Sequence, residues 1–539
     1  MPTPQRSPSR KARVSDESDE STPLLGSPLP PPAYPNIVPH DSKDTAAAGP
    51  SRNQADYDQG PSKDLENAGV HPAAVHLHHR PRRPWSRGKI LRLLFIVAAH
   101  AILIWLILSV TVGRSKRKSH VNHDLPNLEE PSTPYYCHEL SHTHTTAHEF
   151  KDLAEFRIVE QIRQHHQGFH DIHGLIKIVA ATTDDDDDDD DKIHATVTVS
   201  SNFPDHDSIT VAKTDTSLIL QSTKSESPNT WHSLHDCTVV DVVVAVPPAT
   251  RLDTLDVSAN WLSLDLHPLL NLTLDDSLNV ELGAGSVVSR TPTLRSRRTY
   301  ISPAYGSVQG TFTLLDLLEI DAAAGSVDVD VVPGEAEPER PDVPAVFNAR
   351  SKTGTISARF PTDGEGLPDR DYRVGVETEA GSIMGRYVHG SKSEFRSKYG
   401  SIVVKVLPFL RAAGKEVAWS SVLRTKNEAG PSMLDLLAPP LETSKTRGKA
   451  KAPFANLTAE FTSSVGSVRA VFPPRWEGAA DVDTEVGSLR VAGEGLDVVE
   501  EGTHGPVGKW VHAVKGEGDS MVSVKSKVGS VEFLVQETV

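Results

Sequence analysis

The sequence predicts an all-β protein, a parallel β-solenoid ectodomain behind a single transmembrane helix and a disordered N-terminal tail. Three observations predict it. First, a phrase of Gly, then Ser or Thr, then Val, Ile or Leu recurs nine times, beginning at Gly285, Gly306, Gly325, Gly354, Gly381, Gly400, Gly466, Gly487 and Gly529. With 36 glycines in 539 residues, chance would supply roughly one such triplet, so this is a repeat. Second, apolar and polar residues alternate on both sides of each glycine, which is strand periodicity. Third, one apolar run, residues 93–112, with only His100 strongly polar inside it, is long enough to cross a bilayer.

The flanks of the phrase define the unit. Five residues before each glycine stand Val280, Ile301, Ile320, Ala349, Val376, Phe395, Phe461, Val482 and Val524, all apolar. Three before, six of the nine are Ser or Thr: Ser351, Thr378, Ser397, Ser463, Thr484 and Ser526. Two after stand Val287, Val308, Val327, Ile356, Ile383, Ile402, Val468, Leu489 and Val531. Glycine interrupts the alternation, as a corner needing positive φ does. Each unit is therefore strand, corner, strand. One unit cannot bury its apolar face, so stacked units pair their strands around an aliphatic column.

The bulk numbers narrow the class. A formal net charge of -17 argues against nucleic acid as the main partner. Two cysteines, Cys137 and Cys237, are too few for a disulfide framework. In an oxidising compartment they can bridge, tying the stalk to the β region; otherwise both are free thiols.

Residues 1–89 are rich in Pro, Ser, Asp and Lys without apolar periodicity, the composition of a disordered tail. Two short phrases interrupt it. Glu20-Ser21-Thr22-Pro23-Leu24-Leu25 resembles the acidic dileucine signal read by clathrin adaptors, in which two Leu fill an apolar pocket and the acid meets a basic patch. Pro31-Pro32-Ala33-Tyr34 resembles the ligand of WW domains, including those of HECT-type ubiquitin ligases.

The apolar run, with its boundaries at 90–113, reads as an uncleaved signal-anchor, because it is too long and too internal for a signal peptide. Six basic residues from Arg80 to Arg92 precede it, and Arg114, Lys116, Arg117 and Lys118 follow, a slight bias toward a cytosolic N-terminus. The sequons Asn271-Leu272-Thr273 and Asn456-Leu457-Thr458 lie beyond the span and suit a lumenal side. Together these give a single-pass type II membrane glycoprotein at the plasma membrane or a vacuolar or endosomal membrane. His100 within the span is read as a tolerated or interhelical polar residue.

Residues 114–146 read as a polar stalk and 147–539 as the solenoid, with clear repeats over 280–535. Phe150, Leu153, Phe156, Val159 and Ile162 are spaced for a helix over 147–167 that would cap the first rung, although Phe156-Arg157-Ile158 also suits the start of a strand. Insertions are expected at 338–344, 361–368 and 408–455, the last with a short helix at 432–437. The aspartate run 184–191 lacks the glycine and spacing of a calcium loop and reads as solvated.

Two chemistries can be weighed on motifs. His138-Glu139-Leu140-Ser141-His142, followed by His148, has the spacing of a zinc-dependent hydrolase helix. Thr145, however, stands where the extended metzincin motif has its turning glycine, and Thr143, Thr145 and Thr146 are poor helix formers. A polysaccharide-acting β-helix needs carboxylates converging from adjacent rungs. The outward position three after each glycine holds Val288, Gln309, Asp328, Ser357, Met384, Val403, Arg469, Arg490 and Glu532, with no such cluster. The serines of the phrase read as corner residues bonding backbone. No catalytic residue, cofactor or metal is assigned.

The Gly-Ser-Val phrases, with residues 240–247 ahead of them, resemble the putative adhesin family of β-solenoid domains over roughly residues 235–539. The type II layout is similar to fungal membrane proteins carrying that domain. The resemblance implies a non-catalytic binding or structural ectodomain facing cell-wall or lumenal partners, and brings no catalytic residues with it.

Overall fold

The computed structural model describes residues 137, 140–162, 171–181, 192–202, 209–222, 237–290, 292–362, 366–409, 420–439, 454 and 456–537. All belong to one unit, Val121–Val539. Among the described residues there is no α-helix, and none therefore that is long and apolar enough to cross a membrane. The run 93–112 and the two tail motifs lie outside the described residues.

Two long sheets enclose the interior. A leading sheet of 16 strands holds the segments ahead of each glycine, and a trailing sheet of 15 holds those after it. In the Gly381 rung, Tyr372–Ala380 leads, Ile383–His389 trails, and only Gly381 and Ser382 lie between. Neighbouring rungs run parallel and in step: Val376 pairs with Ala349 and Phe395, and Ile383 with Ile356 and Ile402. Equivalent residues thus stack one above another, consistent with a β-solenoid.

The aliphatic column is present. Val287, Val308, Val327, Ile356, Ile383, Ile402, Val468 and Val531 are buried along the trailing side, opposite Val280, Ile301, Ile320, Val376, Phe395, Phe461 and Val524. Each large side chain removed from water contributes about 1.5–3 kcal/mol before entropy is charged against it. Tyr387 fills the middle of the column against Phe395, ring centroids 4.8 Å apart.

Glycine is demanded at the corner by the neighbouring rung as well as by φ. A Cβ on Gly400 would lie 1.9 Å from the carbonyl oxygen of Gly381, and one on Gly381 the same distance from that of Gly354. Gly400 also has φ +151°, which side chains resist. The corners keep the ladder intact: Gly400 N donates to Ala429 O and Ile402 N to Pro431 O, both at 3.0 Å.

The glycine carbonyls explain the Ser and Thr three residues upstream. Ser351 donates to Gly325 O at 3.1 Å, Thr378 to Gly354 O at 3.2 Å, and Ser397 to Gly381 O at 3.2 Å. Thr484 and Ser526 do the same to Gly529 and Gly466. A corner carbonyl turned away from water needs a donor, and a short hydroxyl side chain reaches it.

Five expectations are corrected. The helix over 147–167 is replaced by two strands, β1 (His142–Phe150) and β2 (Glu155–Gln161), and β1 begins within the segment read as stalk. The first rung is covered by strands instead of a helix. With β3 (Asp171–Ala180), β4 (Ile193–Ser201), β5 (Ile209–Lys213), β6 (Ser217–Ser222) and β7 (Cys237–Val246), the trailing sheet starts β1-β4-β7-β3 and the leading sheet ends β2-β6-β5. Antiparallel pairs β1·β4, β4·β7 and β5·β6 terminate the parallel stack.

The 408–455 insertion contains a complete rung: Ser421–Ala429, a corner at Gly430-Pro431, then Ser432–Leu436, a strand where the short helix was expected. Pro431 replaces the usual Ser and hides the phrase. Finally, Val288 is buried, not outward, in a strand of only three residues.

Rung order departs from sequence order at the far end. The Gly529 rung (Ser520–Val528, Val531–Val535) lies between those of Gly466 and Gly487. A hairpin, Asp497–His504 and Gly508–Lys515, pairs antiparallel on the Gly487 rung and closes that end of the leading sheet.

A mid-ladder Gly400→Ala substitution combines positive φ with a backbone collision. It is expected to cost at least about 3 kcal/mol in chemical denaturation.

Candidate functional site

Among the described residues, the leading sheet carries a groove of about 690 Å³. Its floor is the Gly466 rung, where Thr462 and Ser464 are short. Its walls are the neighbouring rungs, where Lys426 and Glu428 on one side and Lys525 and Lys527 on the other are long. Asp483 and Glu485 stand beyond the lysines, and Tyr399 lies at the groove's end toward the Gly400 corner. Strand alternation puts the lysines, the carboxylates, Thr462 and Ser464 on the outer face, and Tyr399 joins them from the last position before the corner, where the alternation ends. Three lysines and three carboxylates balance, and the central hydroxyls are flanked by charge of both signs. Such a surface can hold a polar, hydroxyl-bearing ligand by hydrogen bonds without selecting for net charge.

The residues singled out by motif fall elsewhere. His138 and Glu139 lie outside the described residues. His142 and His148 are on strand β1, six residues and so roughly 20 Å apart, which prevents both from binding one metal ion. The i, i+4 helical grip that would join His138 to His142 is not available to His142 on a strand. Among the described residues no group of three or more His, Cys, Asp or Glu is placed to hold a metal.

Cys137 and Cys237 are joined by a disulfide, with Cα atoms 5.6 Å apart and 100 residues between them in sequence. Both are buried, and Cys237 opens β7, whose N–H donates to Asn202 Oδ1 at 3.0 Å. Asn271 is exposed and Asn456 half-buried with φ +69°. Each stands just ahead of a leading strand, Leu272–Leu282 and Leu457–Val465.

Three buried ionisable groups carried no motif. Glu160 accepts the N–H groups of Asn260 and Trp261, both at 3.0 Å, at a corner that lacks the glycine phrase; burial nevertheless pushes its carboxyl up. Arg370 is 1% exposed and ties its loop to the carbonyls of Gly334 and Val343 and to Asp316. His389 is buried with Nδ1 2.8 Å from Ser393 Oγ, itself buried, so the pair cannot meet a substrate. Burial lowers the His389 pKa to about 4, with the Asp371 carboxylate opposing the shift. The groove residues also went unread, because their signal is a contrast between rungs and not a local pattern.

Reducing the Cys137–Cys237 bridge is expected to lower stability by about 4–5 kcal/mol, the entropy of a loop of that length, as read by denaturation with and without reductant. His389 gives a pH prediction. Its folded pKa lies below the unfolded value, so the unfolded chain takes up the proton first as pH falls. Stability is complete above about pH 6.5 and is lost toward pH 4, by roughly 3 kcal/mol from this group. His389→Gln should flatten that part of the stability–pH curve.

No family model matches the chain, and no curated protein does. Among solved structures, a putative cell adhesion protein from Clostridium sporogenes is 9% identical, covering 74% of this chain and 100% of its own, with TM-score 0.15. A putative adhesin from Bacteroides fragilis is 10% identical, covering 72% and 97%, with TM-score 0.18. A putative lipid binding protein from Parabacteroides distasonis is 8% identical, covering 73% and 97%, with TM-score 0.21. Similarity of this degree carries no argument about what the present chain binds.

Proposed function

We propose that the chain is a non-catalytic, membrane-anchored binding or structural protein, with a cytosolic N-terminus and a stiff ectodomain that meets a cell-wall or lumenal partner along one edge. The observation that carries this reading is the difference between the two edges of the stack. From leading to trailing strand, eight rungs use two connecting residues and the first two glycine rungs use four. The opposite connections range from two residues, 315–316, to 20, 437–456, and hold both sequons.

The constant edge is also uncharged. At the glycine and the residue on each side of it, none of the ten rungs carries Asp, Glu, Lys or Arg, in a chain that is 24% charged. Large side chains stand out from it: Tyr305 is 71% exposed, Tyr399 64% and Val465 54%, with Val528 and Val486 following on the next two rungs. Serine hydroxyls run beside them, as in the Ser382–Ser401 and Ser467–Ser530 contacts. A regular, neutral edge with exposed rings and hydroxyls suits an extended neutral polymer better than a polyanion.

Within this reading the run 93–112 is the signal-anchor, and Asn271 and Asn456 carry glycans on the edge away from the partner. Leu24, Leu25, Pro31, Pro32 and Tyr34 would meet adaptor and WW-domain proteins in the cytosol, serving sorting instead of the ectodomain's contact.

The test is co-sedimentation of the detergent-solubilised full chain with insoluble neutral cell-wall polysaccharide. Val465→Lys/Val528→Lys is expected to reduce binding at least ten-fold while the thermal midpoint holds. Binding that survives those changes would remove the edge from the reading.

A further inference from the structure

The Gly430 rung breaks the interior pattern. Five residues before the corner, every other glycine rung has an aliphatic, Phe or Ala residue, but this one has Thr425. Two residues after it, every other has Val, Ile or Leu, but this one has Ser432. Thr425 is paired between Phe395 and Phe461, and Ser432 between Ile402 and Val468. Both are buried, at 2% and 4% exposure.

The hydrogen-bond inventory at this corner does not close. Asn427, three residues before Gly430, uses its Nδ2 on the carbonyls of Gly400 at 2.9 Å, Gly430 at 3.1 Å and Pro431 at 3.3 Å. Its Oδ1 has no partner. Ser463 on the next rung does not bond Gly430 O, the acceptor that corresponds to the ones its equivalents use, and its Oγ has no partner either. The hydroxyls of Thr425 and Ser432 are likewise unpartnered. Four buried oxygens on two adjacent rungs therefore lack hydrogen bonds, each costing about 1–3 kcal/mol if left so.

We infer that this corner is a binding site for an internal water molecule held by Thr425 Oγ1, Asn427 Oδ1, Ser432 Oγ and Ser463 Oγ. The valences match. Asn427 Oδ1 can only accept, whereas each hydroxyl can donate or accept, so one tetrahedral water donating two bonds and accepting two satisfies all four. Ser in place of Val or Ile, and Thr in place of Ile or Phe, supply room as well as polarity. A monovalent cation fits poorly, because the Asn427 amide protons already point at the nearby corner carbonyls that would have to ligate it.

Two measurements on the full chain test this. A crystal structure should show an ordered peak within hydrogen-bond distance of Thr425 Oγ1 and Asn427 Oδ1. Thr425→Val, nearly isosteric, and Ser432→Val, which restores the aliphatic column, should each lower the thermal midpoint by about 2–4 °C, because each leaves the water short of a partner. At a dry corner the same substitutions delete an orphaned hydroxyl and raise the midpoint. Absence of the peak, or a raised midpoint in both variants, overturns the site.

Discussion

The contact on which the architecture depends is between backbones. From Gly306 on, each corner glycine lies so close to the carbonyl of the glycine on a neighbouring rung that no Cβ fits between them. This contact fixes the register of both sheets at once, because a shift of one residue would drive a side chain into the neighbouring corner. Where the next rung carries Ser, Thr or Asn three residues upstream of its own glycine, that side chain donates to the corner carbonyl on most rungs. The glycine contact also keeps one edge short and uniform, while insertions gather where no such contact exists.

Much of this is legible in the sequence, since a stacked repeat writes its three-dimensional neighbours at fixed offsets. The buried columns five before and two after each glycine can be read directly, and so can the Ser and Thr preference. The cause of that preference cannot, because the acceptor belongs to another rung. Gly430 was missed for a similar reason: Pro431 and Ser432 break the phrase, yet the strand Ser421–Ala429 keeps the alternation. The false helix at 147–167 came from two strands joined through Asp152, whose φ of +53° turns the chain between them and places apolar residues at helix-like intervals by accident. The groove is less legible still, since its depth arises from short side chains on one rung standing beside long ones on the next.

Buried polar side chains gather where the repeat is irregular. Glu160 supplies acceptors at a corner without the glycine phrase, and Arg370 fastens the connection between the Gly325 and Gly354 rungs to that after the Gly354 rung. His389 and Ser393 flank the short connection 390–391 that Asp371 braces through Ser391. In each case a polar side chain replaces hydrogen bonds that the ladder provides elsewhere, which is how connections of unequal length are tolerated without loosening the stack.

The inverted order of the last two rungs has a mechanical meaning. A stack whose rungs follow chain order can be peeled from its end, one strand pair at a time. Here residues 520–535 are clasped on both sides, by the Gly466 rung and by the Gly487 rung. A pull transmitted through that segment would load two strand interfaces in each sheet together instead of unzipping one.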